Sequence, residues 1–294
     1  MRTPYISGYE TLYSVMSDSA FIKMQGLGND FVIIDCRVAP VQLTPEKVRL
    51  ISDRHSGVGC DQLILIEPST TADVFMRIHN ANGGEVEACG NATRCVAKLL
   101  FGEAERDSVI IETLGGMLHA TANENGQIAV DMGPPKFYWQ DIPLSEKHDT
   151  LHLPIDFDGL EKPTAVNMGN PHCVFFVSNI EAVDLPAVGP LLEKHPLFPE
   201  HANIGIAEQL DDKTIRLRVW ERGAGITKAC GTGACAAAVA GAKLGLTERS
   251  ASVRLDGGTL QIDWLQDDHV WMTGPAQISF HGKLDLLALN KGLN

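Results

Sequence analysis

Two cysteines stand in near-copies of one short segment. Ala88–Cys95 reads ACGNATRC and Ala229–Cys235 reads ACGTGAC, which sets Cys89 and Cys230 141 residues apart. Each follows a turn and opens a helical pattern. A thiol there sits at the positive end of the helix dipole. Free backbone N–H groups favour the thiolate, so both cysteines are expected to have lowered pKa values. The same N–H groups can hold a carboxylate. Gly90 and Gly231 follow the thiols, and a residue without a side chain lets a ligand approach the backbone. Two such ends facing one small molecule supply a base, an acid and a divided carboxylate clamp. That set suits removal of a proton beside a carboxylate and return of one to the opposite face. The α-carbon of an amino acid is a very weak acid, so N–H donors in a closed, dry site must stabilise the developing charge.

The 141-residue offset recurs. Gly28-Asn29 maps onto Gly169-Asn170, Gly133-Pro134 onto Gly274-Pro275, Arg77 onto Arg218 and Gln62 onto Asn203. Two similar halves follow, each with one thiol. A single cysteine before a helix is usually structural, but two at matched places in a repeat argue for chemistry. Cys95 and Cys235 lie in helical apolar stripes and read as core thiols. Cys36, Cys60 and Cys173 read as strand or turn cysteines. A metal site is not expected, because no C-x2-C pair exists and the other spacings are poor for ligation. A redox role for Cys89 and Cys230 is the reading from another class.

Around these residues the elements alternate. Phe21–Asp35 reads as strand, turn and strand. Pro45–Asp53 is a short helix with Thr44 as its N-cap. Strands are expected over Gln62–Ile66 and Val74–Ile78, then a turn over Asn80–Gly84. The helix after Cys89 should end at Gly102, and Val109–Gly133 should hold three strands. The second half repeats the order, with strands at Cys173–Val177 and Ile215–Trp220. Its small-residue helix, Ala234–Leu244, is apolar all round and so buried; three strands follow in Ser252–Gly274. The fold class is α+β: two homologous domains, each with antiparallel strands wrapped around a central helix. Residues 1–20 read as an extension, 21–134 as the first domain and 135–275 as the second. The polar stretch from Pro134 to about His152 is the linker. Residues 276–294 lie beyond the repeat, which leaves open a crossing back to the first domain.

The chain has 294 residues, 44% of them hydrophobic, and a formal net charge of −13. That length allows two cores, and the charge argues against nucleic-acid or anionic-membrane surfaces. No apolar run approaches the ~20 residues of a membrane span, and the N-terminus lacks a secretory pattern. Seven cysteines without a disulfide rhythm fit a reducing cytoplasm.

The segments KMQGLGNDFVIID, ACGNATRC, GNPHCV and ERGAGITKACGTGAC, in that order, closely resemble the diaminopimelate epimerase family from about Phe21 onward. The resemblance implies a two-domain isomerase with its site in the interdomain cleft and no cofactor, neither pyridoxal phosphate nor metal. It implies interconversion of LL- and meso-2,6-diaminopimelate, a small amino-acid substrate, and a homodimer. It makes Cys89 and Cys230 the acid/base thiols. It places Asn29, Gln62, Asn80, Asn170, Asn203, Glu221 and Arg222 at the substrate, and Gly90-Asn91 and Gly231-Thr232 as backbone clamps on the reacting carboxylate. Physically, Arg222 can grip a distal carboxylate with paired hydrogen bonds, while Glu221 can receive an ammonium. His172 after its GNP turn is left between a structural role and one near the site. Ala92 and Asn82-Gly83-Gly84 depart from the commoner family pattern without touching a proposed catalytic group. The enzyme alternative is a proline racemase-like or hydroxyproline epimerase activity, against which the polar Glu221-Arg222 pair counts.

Overall fold

The computed structural model describes residues 18–123 and 125–285. The repeat seen in the sequence is a repeat of topology. In the first half, strand Asn29–Asp35 runs parallel to Gln62–Glu67, which pairs antiparallel with Val74–Asn80. Strand Val74–Asn80 then pairs antiparallel with Glu85–Val86 and parallel with Ser108–Thr113. Gly116–Ala122 and Ile128–Asp131 complete an antiparallel meander. In the second half Pro171–Phe176, Asn203–Asp211, Thr214–Glu221, Gly225–Thr227, Ser250–Leu255, Gly258–Trp264 and Val270–Gly274 repeat these pairings, including the two parallel ones. The halves are mainly antiparallel, and each also contains two parallel pairs. The cause is connectivity, since the segments between the paired strands carry helices long enough to cross over.

Four α-helices fill these crossovers. α1 (Pro45–Ser52) is capped by Thr44 and starts on Pro45. α2 (Gly90–Glu103) follows Cys89, α3 (Leu185–Glu193) follows Asp184, and α4 (Gly231–Lys243) follows Cys230. α2 runs through Gly102 and stops at Ala104, contrary to the expected end. An added Cβ at Gly102 would touch nothing, so the residue neither needs its freedom nor breaks the helix. α2 and α4 are each the axis of a core. Ala92, Cys95, Val96 and Leu100 pack into the first, and Ala234 to Ala240 into the second. The alanine-rich α4 is buried along almost its whole length, as a helix without a polar face must be.

The halves are joined three ways. Their equivalent last strands pair antiparallel, with Trp271 opposite Asp131 and Gly274 opposite Ile128. Strand Gln277–Asp285 returns to the first half and pairs along Asp18–Gln25. The turn after that first strand sends Leu27 into the core of the second half. Leu27 is left-handed at φ 57°, and a Cβ on Gly257 would lie 1.8 Å from its carbonyl oxygen. Only glycine fits that contact.

Two further expectations change. The first strand begins at Asp18 rather than near Phe21, and residues 1–17 of the expected extension lie outside the described residues. The segment read as a linker is packed: Ile142 and Leu144 are buried with Leu153 and Ile155 in a core that includes α3. Among the described residues no helix is long and apolar enough to cross a membrane.

Candidate active site

Both cysteines are N-cap residues with extended backbones, as their place before a helix requires. Pairing of the equivalent last strands brings the two helix starts together around Met272. A Cβ on Gly90 would lie 2.6 Å from the Met272 methyl, and one on Gly231 would lie 2.9 Å from its sulfur. This sharpens the reading of these glycines. What they permit in the structure is close packing of the two helix starts against one flexible side chain.

The link between the halves is hydrogen-bonded. Asn91, in the first turn of α2, donates to Asn29 Oδ1 at 3.2 Å and to the Ala229 carbonyl at 3.2 Å. Asn29 Oδ1 lies 3.9 Å from the Cys89 sulfur, and Ala229 directly precedes Cys230. One buried amide therefore touches the surroundings of both thiols. Asn91 is held in turn by Arg94, whose guanidinium donates to Asn91 Oδ1 at 2.9 Å and to the Pro275 carbonyl at 3.3 Å. Arg94 is fully buried and makes no ion pair among the described residues. The sequence reading passed over it. A visible signal was an arginine inside the apolar stripe of a core helix, a place where a charge is kept only with defined partners.

The two thiols differ. Cys89 is half-buried and takes no capping hydrogen bond on its sulfur. Cys230 is buried; its sulfur accepts from Gly233 N–H at 3.4 Å and lies 3.6 Å from Thr232 Oγ1. Burial pushes both thiol pKa values up, that of Cys230 well above the usual thiol range. The Ala92 and Asn91 N–H groups and the Arg94 charge oppose that push at Cys89. Glu221 adds to the push at both sulfurs. The expectation of lowered pKa values is thus corrected: helix N–H groups act in the expected direction, but loss of water outweighs them. The core thiols Cys95 and Cys235 are pushed to about 12 by the same burial.

Glu221 receives the Thr227 hydroxyl, and burial pushes its carboxyl up while bonds from Thr227 and Cys230 draw it back. Its charge acts on both sulfurs, so the two thiols share one electrostatic environment. Arg222 next to it is exposed. Its backbone N–H is fixed by Asn203 Oδ1 at 2.9 Å, and Asn203 is anchored on the Pro171 carbonyl. Asn203 is 2% exposed, which suits a residue that holds the Arg222 turn from behind. Asn170 is held by His172, whose Nε2 lies 2.8 Å from Asn170 Oδ1. Burial, with the Arg222 charge, drops the His172 pKa to about 3. The ring is neutral at pH 7, and Nε2–H donates. In the first half Gln62 Nε2 donates to Asn80 Oδ1 at 2.9 Å. Gln62 Oε1 is buried with no hydrogen-bond partner. Asn29 is further fixed by the Asp61 carboxylate at 3.0 Å, itself bound by Arg54. Among the described residues no group of three or more His, Cys, Asp or Glu side chains is placed to hold a metal ion, and all seven cysteines are free thiols.

Two like halves, each with a cysteine-capped helix whose start packs against Met272, define the fold class shared with several solved epimerases and their kin. The structure is similar to a phenazine biosynthesis protein of the PhzF family from Bacillus anthracis, with TM-score 0.67 and 19% identity over 91% of this chain and 99% of that one. It is also similar to a hydroxyproline epimerase from Agrobacterium vitis, with TM-score 0.64 and 14% identity over 92% and 93% of the two chains. At such identities the likeness speaks for the fold alone. The family is narrower. The chain belongs to the diaminopimelate epimerase family, whose sequence profile matches residues 21–138 and 164–279. Diaminopimelate epimerase of Rhodospirillum centenum is 53% identical over 266 residues, 90% of this chain and 91% of that protein. That of Erythrobacter litoralis is 54% identical over 267 residues, 90% and 97% of the two.

Proposed function

We propose that this isomerase interconverts LL- and meso-2,6-diaminopimelate by a two-base mechanism needing neither pyridoxal phosphate nor metal. One thiolate takes the α-proton and the opposite thiol delivers its proton to the other face, so the centre inverts. The roles exchange in reverse. Cys89 is the readier thiolate, because it is only half-buried and Asn91 N–H, Ala92 N–H and Arg94 favour its charge. Backbone N–H groups at Gly90-Asn91 and Gly231-Thr232 hold the reacting carboxylate and the charge that develops on it. Arg222 takes the distal carboxylate. Glu221, Asn29, Asn80, Asn170 and the spare Gln62 oxygen take ammonium hydrogens, while Asn203 holds the Arg222 turn. A substrate ammonium beside Glu221 would offset the push this carboxylate exerts on both sulfurs, so that binding itself readies a thiolate.

The observation that carries this reading is that the two cysteine-capped helix starts abut one residue, Met272, and are bridged by Asn91, which bonds Asn29 beside Cys89 and the carbonyl of Ala229 before Cys230. The setting is proposed to be the cytoplasm, in the route to lysine and peptidoglycan, and the enzyme a homodimer. Exposed Ile278 and Phe280 on the returning strand support the dimer, and sedimentation of the purified protein tests it. For the activity, LL-diaminopimelate should convert to the meso form with no added cofactor. Inertness toward it, with racemisation of proline instead, would overturn the substrate assignment.

A further inference from the structure

The turn that carries Glu221 and Arg222 is held from below by α3. Its last residue, Glu193, is 7% exposed. The Glu193 carboxylate accepts the Trp220 indole N–H at 2.7 Å on one oxygen and the Gly223 backbone N–H at 3.2 Å on the other. His201 Nδ1 lies 3.6 Å from the second oxygen. One helical turn earlier, Gly189 faces the same indole; an added Cβ would lie 2.7 Å from its Cγ. Gly189 and Glu193 are four residues apart and so share one face of α3. That face is shaped to Trp220: a flat space for the ring, then an acceptor for its N–H. Trp220 and Gly223 flank Glu221-Arg222 on both sides. The carboxylate therefore fixes both ends of the two-residue segment, while Asn203 fixes its middle.

We infer that Glu193 is a specificity-determining positioning residue, which holds Arg222 where it can grip the distal carboxylate of the substrate. The inference rests on the reading of Arg222 given above. A buried carboxylate with two fixed N–H donors on separate oxygens has one preferred arrangement, and it transmits that arrangement to the Arg222 backbone. The first half shows what the turn looks like without such a clamp. There the helix in the equivalent crossover, α1, sends the half-exposed Arg49 to the Asn82 carbonyl at 3.1 Å, and no substrate-gripping arginine follows: the residue matching Arg222 is Ala81.

The test uses the full-length enzyme with LL-diaminopimelate. E193A should raise KM at least tenfold with kcat changed less than about threefold. E193Q, which keeps one acceptor oxygen, should fall between it and the parent and covers the case in which E193A folds poorly. In an R222M background E193A should add less than twofold to KM, because the residue it positions is gone. KM raised by R222M but unchanged by E193A and E193Q would overturn this inference alone. Effects of E193A and R222M that multiply independently would also overturn it, since they would show a general structural role. KM unchanged in R222M would overturn the assignment of Arg222 and this inference with it.

Discussion

The start of α2 and the start of α4 are the same structure with different chemistry around the sulfur. At α2 the half-buried Cys89 is approached by Asn29 and lies in the field of Arg94. At α4 the buried Cys230 is capped by Gly233 N–H and sits against Glu221, a carboxylate that pushes its pKa further up. Burial and Glu221 push both thiols up, and the Arg94 charge opposes that push at Cys89. A symmetric duplication would give two equal thiols, whereas inversion of a carbon needs one base and one acid at a time. The difference between the halves supplies that inequality: both sulfurs feel Glu221, but Cys89 is less buried and has Arg94 in its field.

Removing either sulfur should have the largest effect. C89A and C230A are each expected to lose epimerisation by about 10²–10⁴-fold or more, the range for a lost acid or base. Loss confined to one variant, measured by conversion of LL- to meso-diaminopimelate, would break the pairing of the halves. Next comes the acid limb of stability, where His172 has Phe31 as its counterpart in the first half. Its pKa is 6.5 when exposed and about 3 in the fold, so it costs the fold nothing above about 6.5, and a penalty grows as pH falls toward 3 because only the unfolded chain takes up the proton. Its full size is on the order of 4–5 kcal/mol. H172F should flatten this part of a chemical-denaturation series run from pH 7 to pH 4; an unchanged slope would show that other groups carry it. G257A should cost about 1–3 kcal/mol, because the Leu27 carbonyl, and not a flexible side chain, occupies the space. Thermal unfolding would show it. The smallest effect is expected from R49A. Its side chain is half-exposed, and such contacts contribute under about 1 kcal/mol. A KM within about twofold of the parent would set it apart from Glu193, on the equivalent crossover helix of the second half.

Much of this was legible in the chain. The repeated ACG segments place both cysteines as N-caps, and the 141-residue offset maps Gln62 onto Asn203 at the starts of equivalent strands. What escaped depends on partners distant in sequence. Parallel pairing cannot be read from strand patterns, because period-two alternation is blind to the direction of a neighbour. The direction of the thiol pKa shifts escaped for a related reason: helix-end N–H groups are local and visible, but burial depends on how residues distant in sequence pack around each sulfur. Glu193 ends a helix in a stretch to which no element was assigned from sequence, and its significance appears once Trp220 and Gly223 are found above it. The linker reading failed where polar residues dominate composition yet Ile142 and Leu144 supply the anchors.

The central claim is that the two thiols work on opposite faces of one carbon. Initial turnover of LL-diaminopimelate in deuterium oxide tests it most directly, by mass and proton spectra of both the recovered substrate and the product. The account predicts one deuterium at the inverted α-carbon of the meso product, delivered by the solvent-exchanged acid, and almost none in the unreacted LL substrate. Deuterium entering the recovered substrate as fast as the product would mean that one base serves both faces, and would contradict it.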